Sequence, residues 1–112
     1  LVIIVSDFYG VDKTTEKLTA KLAQHNDVLG ILVTDPIRND PHPQKVTASD
    51  GRMQVEVPFD RKEIREKVSE NYREEREDIA HFMRKISAPL LEVSNEGDVV
   101  QQVRKLLGVP AR

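Results

Sequence analysis

The chain of 112 residues contains no cysteine and no tryptophan, and aromatic residues make up only 4% of it. Without cysteine it can form neither disulfide bonds nor thiolate metal sites, which fits a reducing compartment. Its formal net charge is −2, so bulk attraction to nucleic acid or to an anionic membrane is not expected. Its longest apolar run is far below the ~20 residues of a membrane span. These absences favour a globular domain in the cytoplasm, or on the cytoplasmic side of a membrane-anchored parent protein.

Three apolar segments predict strands. Residues 1–6 and 28–34 are nearly uninterrupted apolar runs, as in strands that are buried on both faces, and residues 90–93 form a shorter third strand. A helical pattern follows the first segment, and a strand–helix–strand unit of this length forms parallel strands with a right-handed crossover. Gly30, isolated within the second segment, predicts close packing. The predicted fold class is α/β with a mostly parallel sheet.

Three helices are predicted from apolar spacing and from residues that can cap them. The first spans residues 14–24, with Thr14 or Thr15 as its N-cap and with Leu18 and Leu22 on one face. The second spans residues 60–86, begins at Asp60 and carries many charges of both signs. Its apolar side is marked by Ile64, Val68, Tyr72, Ile79, Phe82, Met83 and Ile86. Such a mixed charged face usually stabilises an exposed helix, and a partner-binding ridge is the sharper interpretation.

The last helix is predicted to follow the third strand directly, with Ser94 or Asn95 as its N-cap and with Gly108 and Pro110 after its end. The side chains it is predicted to bury are Val99, Val103, Leu106 and Leu107. Between the second strand and the second helix, residues 36–45 contain three prolines and predict a loop. A β-hairpin follows, with a type I′ turn at Asp50-Gly51.

The first strand is the most apolar of the three, although strands at the edge of a sheet are usually short, polar or covered. We therefore expect further strands beside it, contributed by sequence upstream of Leu1, so that the sheet of residues 1–112 is incomplete. In isolation the first strand should seek a partner, by strand exchange or by edge-to-edge homodimerisation.

Polar residues follow the first two strands at the edge where ligands gather in open α/β sheets. Asp7, with Ser6 and the loop through Gly10 to Asp12, could bind Mg²⁺, which prefers oxygen ligands. The alternative is that Asp7 only caps a turn. Asp35 is interpreted either as a group that supports such a site without binding the ion or as an acceptor for loop amides in an Asx turn. The three histidines, His25, His42 and His81, have no partner at metal-ligand spacing and are predicted to be solvated.

The segment LVIIVSDF resembles the strand and metal-site loop in the second half of von Willebrand factor A-like domains. The order of motifs along nearly the whole chain is more similar to the bacterial family called domain of unknown function 58. The residues that carry this resemblance are Ser6-Asp7-Phe8, AQHNDVLGILVTDP, ASDGRMQVEV, the charged helix over residues 60–86 and LLEVSNEGDVVQQVRKLL. The resemblance implies a three-layer, doubly wound, Rossmann-like sheet of which residues 1–112 are the C-terminal half.

The resemblance also implies a function. A-type domains bind a divalent cation through an Asp-x-Ser-x-Ser motif, a Thr and a further Asp, and a partner's carboxylate completes the coordination. Asp7 matches the last position, while the first two elements are absent from this sequence. Ser6, Phe8 and Asp35 are then interaction residues, and Mg²⁺ is expected only in the full-length protein. The family often occurs beside MoxR-type AAA+ ATPases, which implies such an ATPase as the partner.

Three functions stay open at this point. The leading hypothesis is a non-enzymatic protein-interaction module. The second is a fragment of a Mg²⁺-dependent α/β enzyme for phosphoryl transfer, which would need a second carboxylate or a basic phosphate clamp beside Asp7. Asp35 is a candidate for the former and Lys13 for the latter. The third is a structural protein whose long helix docks a partner.

Overall fold

The computed structural model of the chain describes residues 1–39, 45–49 and 51–108. Contacts divide the chain into two compact units, unit 1 (Leu1–Asp35 and Arg76–Arg112) and unit 2 (Pro36–Glu75). In chain order the elements are β1 (Val2–Ser6), α1 (Lys13–His25), β2 (Val28–Thr34), α2 (Pro36–Asn39), β3 (Lys45–Ser49), β4 (Gln54–Pro58), α3 (Lys62–Lys85), β5 (Leu90–Ser94) and α4 (Val99–Leu106).

Unit 1 is built on a three-stranded sheet in the order β1–β2–β5, in which both pairs are parallel. Val2 lies opposite Val28, and Gly30 lies between Ile4 and Leu90. Parallel neighbours require crossover connections, and α1 supplies the one from β1 to β2. The predicted α/β class is confirmed, and the three predicted strands agree with the structure to within one residue at each end.

One face of this sheet carries the core of unit 1. Its centre is a cluster of Val28, Met83 and Ala88, in which Met83 is only 1% exposed. A methyl group on Gly30 would lie 2.6 Å from Met83 Cε and 3.0 Å from Leu90 Cδ1, so the absence of a side chain lets α3 approach β2. The predicted close packing at Gly30 is therefore confirmed. The half-buried side chains around the cluster are Val2, Ile4, Phe8, Ala23, Ile79, Phe82, Ile86 and Leu90.

The opposite face of β1 is open to solvent. Side chains alternate along a strand, so Ile3 and Val5 lie on the face away from the core, where they are 51% and 62% exposed. Leu1 is exposed as well, whereas Val2 and Ile4 are half-buried on the core face. The predicted burial of residues 1–6 on both faces is therefore not found, because only the face of β1 that carries Val2 and Ile4 packs against the core.

Helix α1 begins one residue earlier than predicted, and its half-buried face is not the one that carries Leu18 and Leu22. Its N-cap is Asp12, whose Oδ1 accepts hydrogen bonds from Thr15 N (2.8 Å) and Thr15 Oγ1 (2.9 Å), so neither Thr14 nor Thr15 is the cap. Leu18 and Leu22, predicted to share one face of the helix, are both exposed. The half-buried positions of α1 are Glu16, Thr19, Ala20 and Ala23. Three of these four side chains are small, and small side chains let a helix lie closer to a sheet than leucine does.

Helix α4 begins at Val99, four residues after Asn95, the later of its two predicted N-caps. Its N-cap is Asp98, whose Oδ1 accepts from Gln101 N at 3.2 Å, while Ser94 Oγ accepts from Glu96 N in the turn before the helix. The prediction that Ser94 or Asn95 caps this helix is therefore wrong, because Gly97, at φ +86°, inserts a turn before the helix starts.

The predicted end of α4 is confirmed, whereas the predicted burial of its apolar side chains mostly is not. Gly108 follows the helix with φ +72°, as predicted for a helix stop, and Pro110 lies outside the described residues. The burial predicted for the helix fails at three of its four positions, because a helix of two turns beside a sheet of three strands has few neighbours. Val103 is half-buried, whereas Val99, Leu106 and Leu107 are exposed.

Unit 2 contains the predicted hairpin, but with a longer loop. Strands β3 and β4 are antiparallel, and Ser49 pairs with Gln54. A two-residue type I′ turn at Asp50-Gly51 would pair Ser49 with Arg52 instead, so the register is not that of a two-residue loop. Gly51 does adopt a positive φ of +92°, while Asp50 lies outside the described residues.

Two further boundaries in unit 2 differ from the prediction. Helix α3 begins at Lys62, so Asp60 precedes its cap position. Residues 36–45, predicted as a loop, begin with α2, since the fixed φ of Pro36 suits a first helical position. Arg38 of α2 forms an ion pair with Glu75 (2.7 Å) and lies over the ring of Tyr72 (5.0 Å), which holds α2 against α3. All seven side chains predicted for the apolar side of α3 are buried or half-buried.

Candidate functional site

The sequence-predicted site lies where β1 and β2 end. Ser6, the last residue of β1, pairs with Leu32, whereas Thr34, the last residue of β2, pairs with Ser94. The exit of β1 is therefore recessed by two residues, or about 7 Å along the strand direction. Asp7 and Asp35 follow these two exits, and both are exposed.

The loop after β1 is ordered by two side-chain caps. Ser6 Oγ accepts a hydrogen bond from Phe8 N (3.0 Å), and Asp7 Oδ1 accepts one from Tyr9 N (2.9 Å). Serine and aspartate stabilise turns in this way because their short side chains reach the amide two residues on. One oxygen of the Asp7 carboxylate is thus used within its own turn, which is the structural alternative considered from the sequence.

Phe8 is an anchor rather than an exposed contact. Its φ of +56° is unusual for a bulky residue, and its ring is half-buried against the core, with Cζ 3.4 Å from the position of a Gly30 Cβ. The packing of the ring and the bond from Phe8 N to Ser6 hold this conformation. The consequence is that the next residue, Tyr9, points outward with 83% of its surface exposed. Sequence reasoning missed Tyr9, although an aromatic before a loop glycine was a visible signal.

Within the described part of the chain, the side chains around Asp7 do not form a cation site by themselves. No group of three or more His, Cys, Asp or Glu side chains that could hold a metal is found within the described ranges. Mg²⁺ usually needs several oxygen ligands in near-octahedral geometry, and Asp7 with water supplies too few. His25 and His81 are exposed, as predicted, and His42 lies outside the described residues.

One ionisable group beside this loop has a clearly altered pKa. The backbone N–H and the hydroxyl of Thr15 donate to the Asp12 carboxylate, which keeps the pKa of Asp12 below its usual value. These donors favour the ionised form of the cap. The shift is explained by helix capping and needs no ligand.

The second feature of this region is the free edge of β1. Val2 N donates to Asp27 O, just before β2 (2.7 Å). In a parallel strand the direction of backbone groups alternates, so Val2, Ile4 and Ser6 bond toward β2 while the N–H and C=O groups of Ile3 and Val5 point outward. No strand lies beyond them in the part of the chain that the structure describes. We call this outward edge, with the side chains of Leu1, Ile3 and Val5, the β1 surface.

The other edge of the sheet, at β5, is protected. Ser94 N donates to Gln102 Oε1 (2.8 Å), and Gln102 Nε2 donates to Ser94 O (3.1 Å), so one carboxamide of α4 takes the place of a neighbouring peptide group. Glu92 adds a charge on this strand, in an ion pair with Arg76 at 3.5 Å. Edge charges and covering groups discourage the addition of another strand. β1 carries neither device.

Comparisons of the chain with protein-family models, curated proteins and solved structures gave no significant match. None of the helices in the described ranges has both the length and the apolar composition that a bilayer crossing requires.

Proposed function

We propose that this chain is a non-enzymatic protein-interaction module, the C-terminal half of a von Willebrand factor A-like domain of the type called domain of unknown function 58. The observation that carries the proposal is the β1 surface: an uncharged, apolar strand whose outward backbone groups and whose Ile3 and Val5 side chains are open to solvent. A strand of this composition is otherwise typical of the interior of a sheet. Its natural complement is another protein segment.

The finer architecture belongs to the same proposal. In the parent protein, strands from outside this chain extend the sheet beyond β1 into a three-layer, doubly wound arrangement. There the Asp7 carboxylate supplies one ligand to a Mg²⁺ ion whose other ligands come from outside residues 1–112. The expected partner is a MoxR-type AAA+ ATPase, and the role is the assembly or remodelling of a protein complex.

Two matched pairs of variants in the full-length protein test the proposal. Val5→Lys places a charge on the strand that the strands of the parent protein are proposed to join. Because it disrupts the sheet that positions Asp7, it should weaken ATPase binding at least tenfold, about 1.4 kcal/mol or more. Val100→Lys changes an equally exposed valine, since both are 62% exposed, and should leave binding unchanged. Asp7→Ala should weaken Mg²⁺-dependent binding, whereas Asp27→Ala, at the opposite end of the strands, should not. Binding is measured by titration calorimetry with and without Mg²⁺.

The same variants separate the other functions. If Asp7→Ala removes a phosphoryl-transfer or hydrolytic turnover of the parent protein, the enzyme hypothesis replaces this one. If neither Val5→Lys nor Asp7→Ala alters partner binding, the long charged helix α3 becomes the docking element. For the chain of 112 residues alone we expect no appreciable Mg²⁺ affinity, and micromolar binding in a titration would contradict that expectation.

A further inference from the structure

The hydrogen-bonding pattern of β1 also fits a second copy of the same strand. We propose that two copies of this 112-residue chain associate through antiparallel pairing of β1 with β1, with the two-fold axis at Ile4. This rests on the proposed function in that it uses the same β1 surface. Strands of the parent protein would occupy that surface in the full-length protein, so the dimer is proposed for the 112-residue chain, in whose described residues β1 is an edge strand. The result is one continuous sheet made from the two three-stranded sheets.

Backbone geometry selects the register. In an antiparallel pair, residues that exchange both backbone hydrogen bonds lie directly opposite each other. The outward groups belong to Ile3 and Val5, so these residues must face outward residues of the second copy. Placing Ile3 opposite Val5, and Val5 opposite Ile3, brings the whole of β1 into the overlap and gives about four interchain hydrogen bonds. Ile4 then lies opposite Ile4.

The side chains of Ile3 and Val5 also fit this register. Residues that lie opposite each other project to the same face of a sheet, so Ile3 of one copy meets Val5 of the other on the face that the monomer leaves open. Each of these side chains is more than half exposed in the monomer. A β-branched pair of this kind is among the favourable cross-strand contacts of antiparallel sheets. The two-fold axis creates this contact twice.

Charge does not oppose the pairing. No residue of β1 is charged, and the nearest carboxylate, Asp7, follows its end. In the proposed register the two copies of Asp7 lie at opposite ends of the paired strands. They are separated by about 20 Å, which exceeds the screening length of ~8 Å at physiological salt. At the other edge, by contrast, self-pairing of β5 would bring two Glu92 residues and two Gln102 caps together.

Interface size sets the expected strength. A stable dimer usually buries at least ~1,200 Å² in total, and pairs below that size are typically weak. A five-residue strand offers only about 17 Å of edge. We therefore expect a reversible dimer that dissociates on dilution to low micromolar concentration.

Sedimentation velocity of the 112-residue chain over a micromolar to millimolar range tests the association. Val5→Pro removes an outward N–H while leaving the bonds of β1 to β2, as edge strands allow, and should raise the dissociation constant at least tenfold. Val100→Lys, on α4, should not change it. Circular dichroism confirms that each variant is folded. A wild-type chain that is monomeric throughout the range, or a Val5→Pro variant that still dimerises fully, overturns the proposal.

Cysteine cross-linking tests the register, since the chain has no cysteine of its own. Directly opposite residues of a non-hydrogen-bonded pair have Cα atoms about 4.5 Å apart, within the range that a disulfide spans. Ile4→Cys should thus form a covalent dimer on mild oxidation. Ile3→Cys is the matched control, because its two copies would be offset by about 7 Å along the strands as well as lying on neighbouring strands. Equal cross-linking of both variants, or preference for Ile3→Cys, overturns the two-fold axis at Ile4.

The failure of the dimer and the failure of the proposed function can be distinguished experimentally. If the 112-residue chain is monomeric but Val5→Lys abolishes ATPase binding by the full-length protein, the interaction module stands and the dimer is ruled out. If the chain dimerises but Val5→Lys leaves ATPase binding unchanged, the dimer stands and the proposed function is contradicted.

Discussion

The two edges of the three-stranded sheet differ in almost every property that controls strand addition. At β5, the carboxamide of Gln102 occupies the backbone groups of Ser94, and Glu92 adds an edge charge. At β1, the strand is uncharged and the outward groups of Ile3 and Val5 meet no other strand of the described chain. Proteins usually protect their edge strands. An edge left open beside one that is closed therefore marks the side on which another polypeptide is expected.

The largest expected effect compares one valine from each edge strand. Val5 and Val93 lie on the same face of the sheet, but Val93 is 3% exposed and Val5 is 62% exposed. Val93→Ala should lower the free energy of unfolding by about 2 kcal/mol, because it removes buried methyl groups and leaves a cavity. Val5→Ala should change it by less than about 0.5 kcal/mol.

Urea denaturation at low micromolar concentration, where the chain is monomeric, measures both values. Equal losses for the two variants would mean that β1 is covered in solution, and the contrast between the edges would then disappear.

An intermediate effect is expected where the β5 edge is sealed. Gln102→Ala leaves the N–H and C=O of Ser94 without their side-chain partner and should cost about 1–2 kcal/mol, since each net hydrogen bond contributes roughly 0.5–1.5 kcal/mol. The Ser94 amide should also exchange with solvent faster in the variant. Hydrogen exchange followed by NMR and urea denaturation provide the two measurements.

Gln101→Ala is the control for this experiment, because Gln101 is exposed and its bond to the Asp98 cap comes from its backbone N–H, which the substitution leaves in place. If both glutamine variants behave alike, the carboxamide of Gln102 does not protect the edge.

The smallest expected effect concerns the helix that follows the open strand. The pKa of Asp12 is lowered by the donors of Thr15, so the stabilisation from its ionised form is present above the pKa of the unfolded chain, about 3.9. It is lost as the pH falls through the lower pKa of the folded state. Asp12→Asn keeps a capping oxygen but does not titrate, and should therefore lose less stability than wild type between pH 5 and pH 2, as followed by thermal unfolding. A steeper acid loss in the variant than in wild type would contradict the sign of this shift.

Local signals determined a large part of this fold. The apolar runs of residues 28–34 and 90–93 predicted two strands closely, and the spacing from Ile64 to Ile86 predicted the inward side of α3, because burial follows the period of each element. The resemblance to an A-like domain and the proposed roles of Asp7 and Asp35 stay predictions. The caps of α1 and α4 were missed because Asp12, Thr14 and Thr15, like Ser94 and Asp98, are all good capping residues. Sequence spacing alone does not choose among them.

The order of the strands in the sheet could not be predicted from local sequence patterns. The apolar composition of β1 predicted a central strand with further strands beside it. Only the pairing of β2 with both β1 and β5 decided that β1 lies at an edge. The bond between Gln102 and Ser94 likewise joins residues whose proximity depends on how α4 packs against β5. Secondary structure follows from contacts along the chain, whereas the difference between an open and a closed edge depends on contacts between distant segments, which no local pattern specifies.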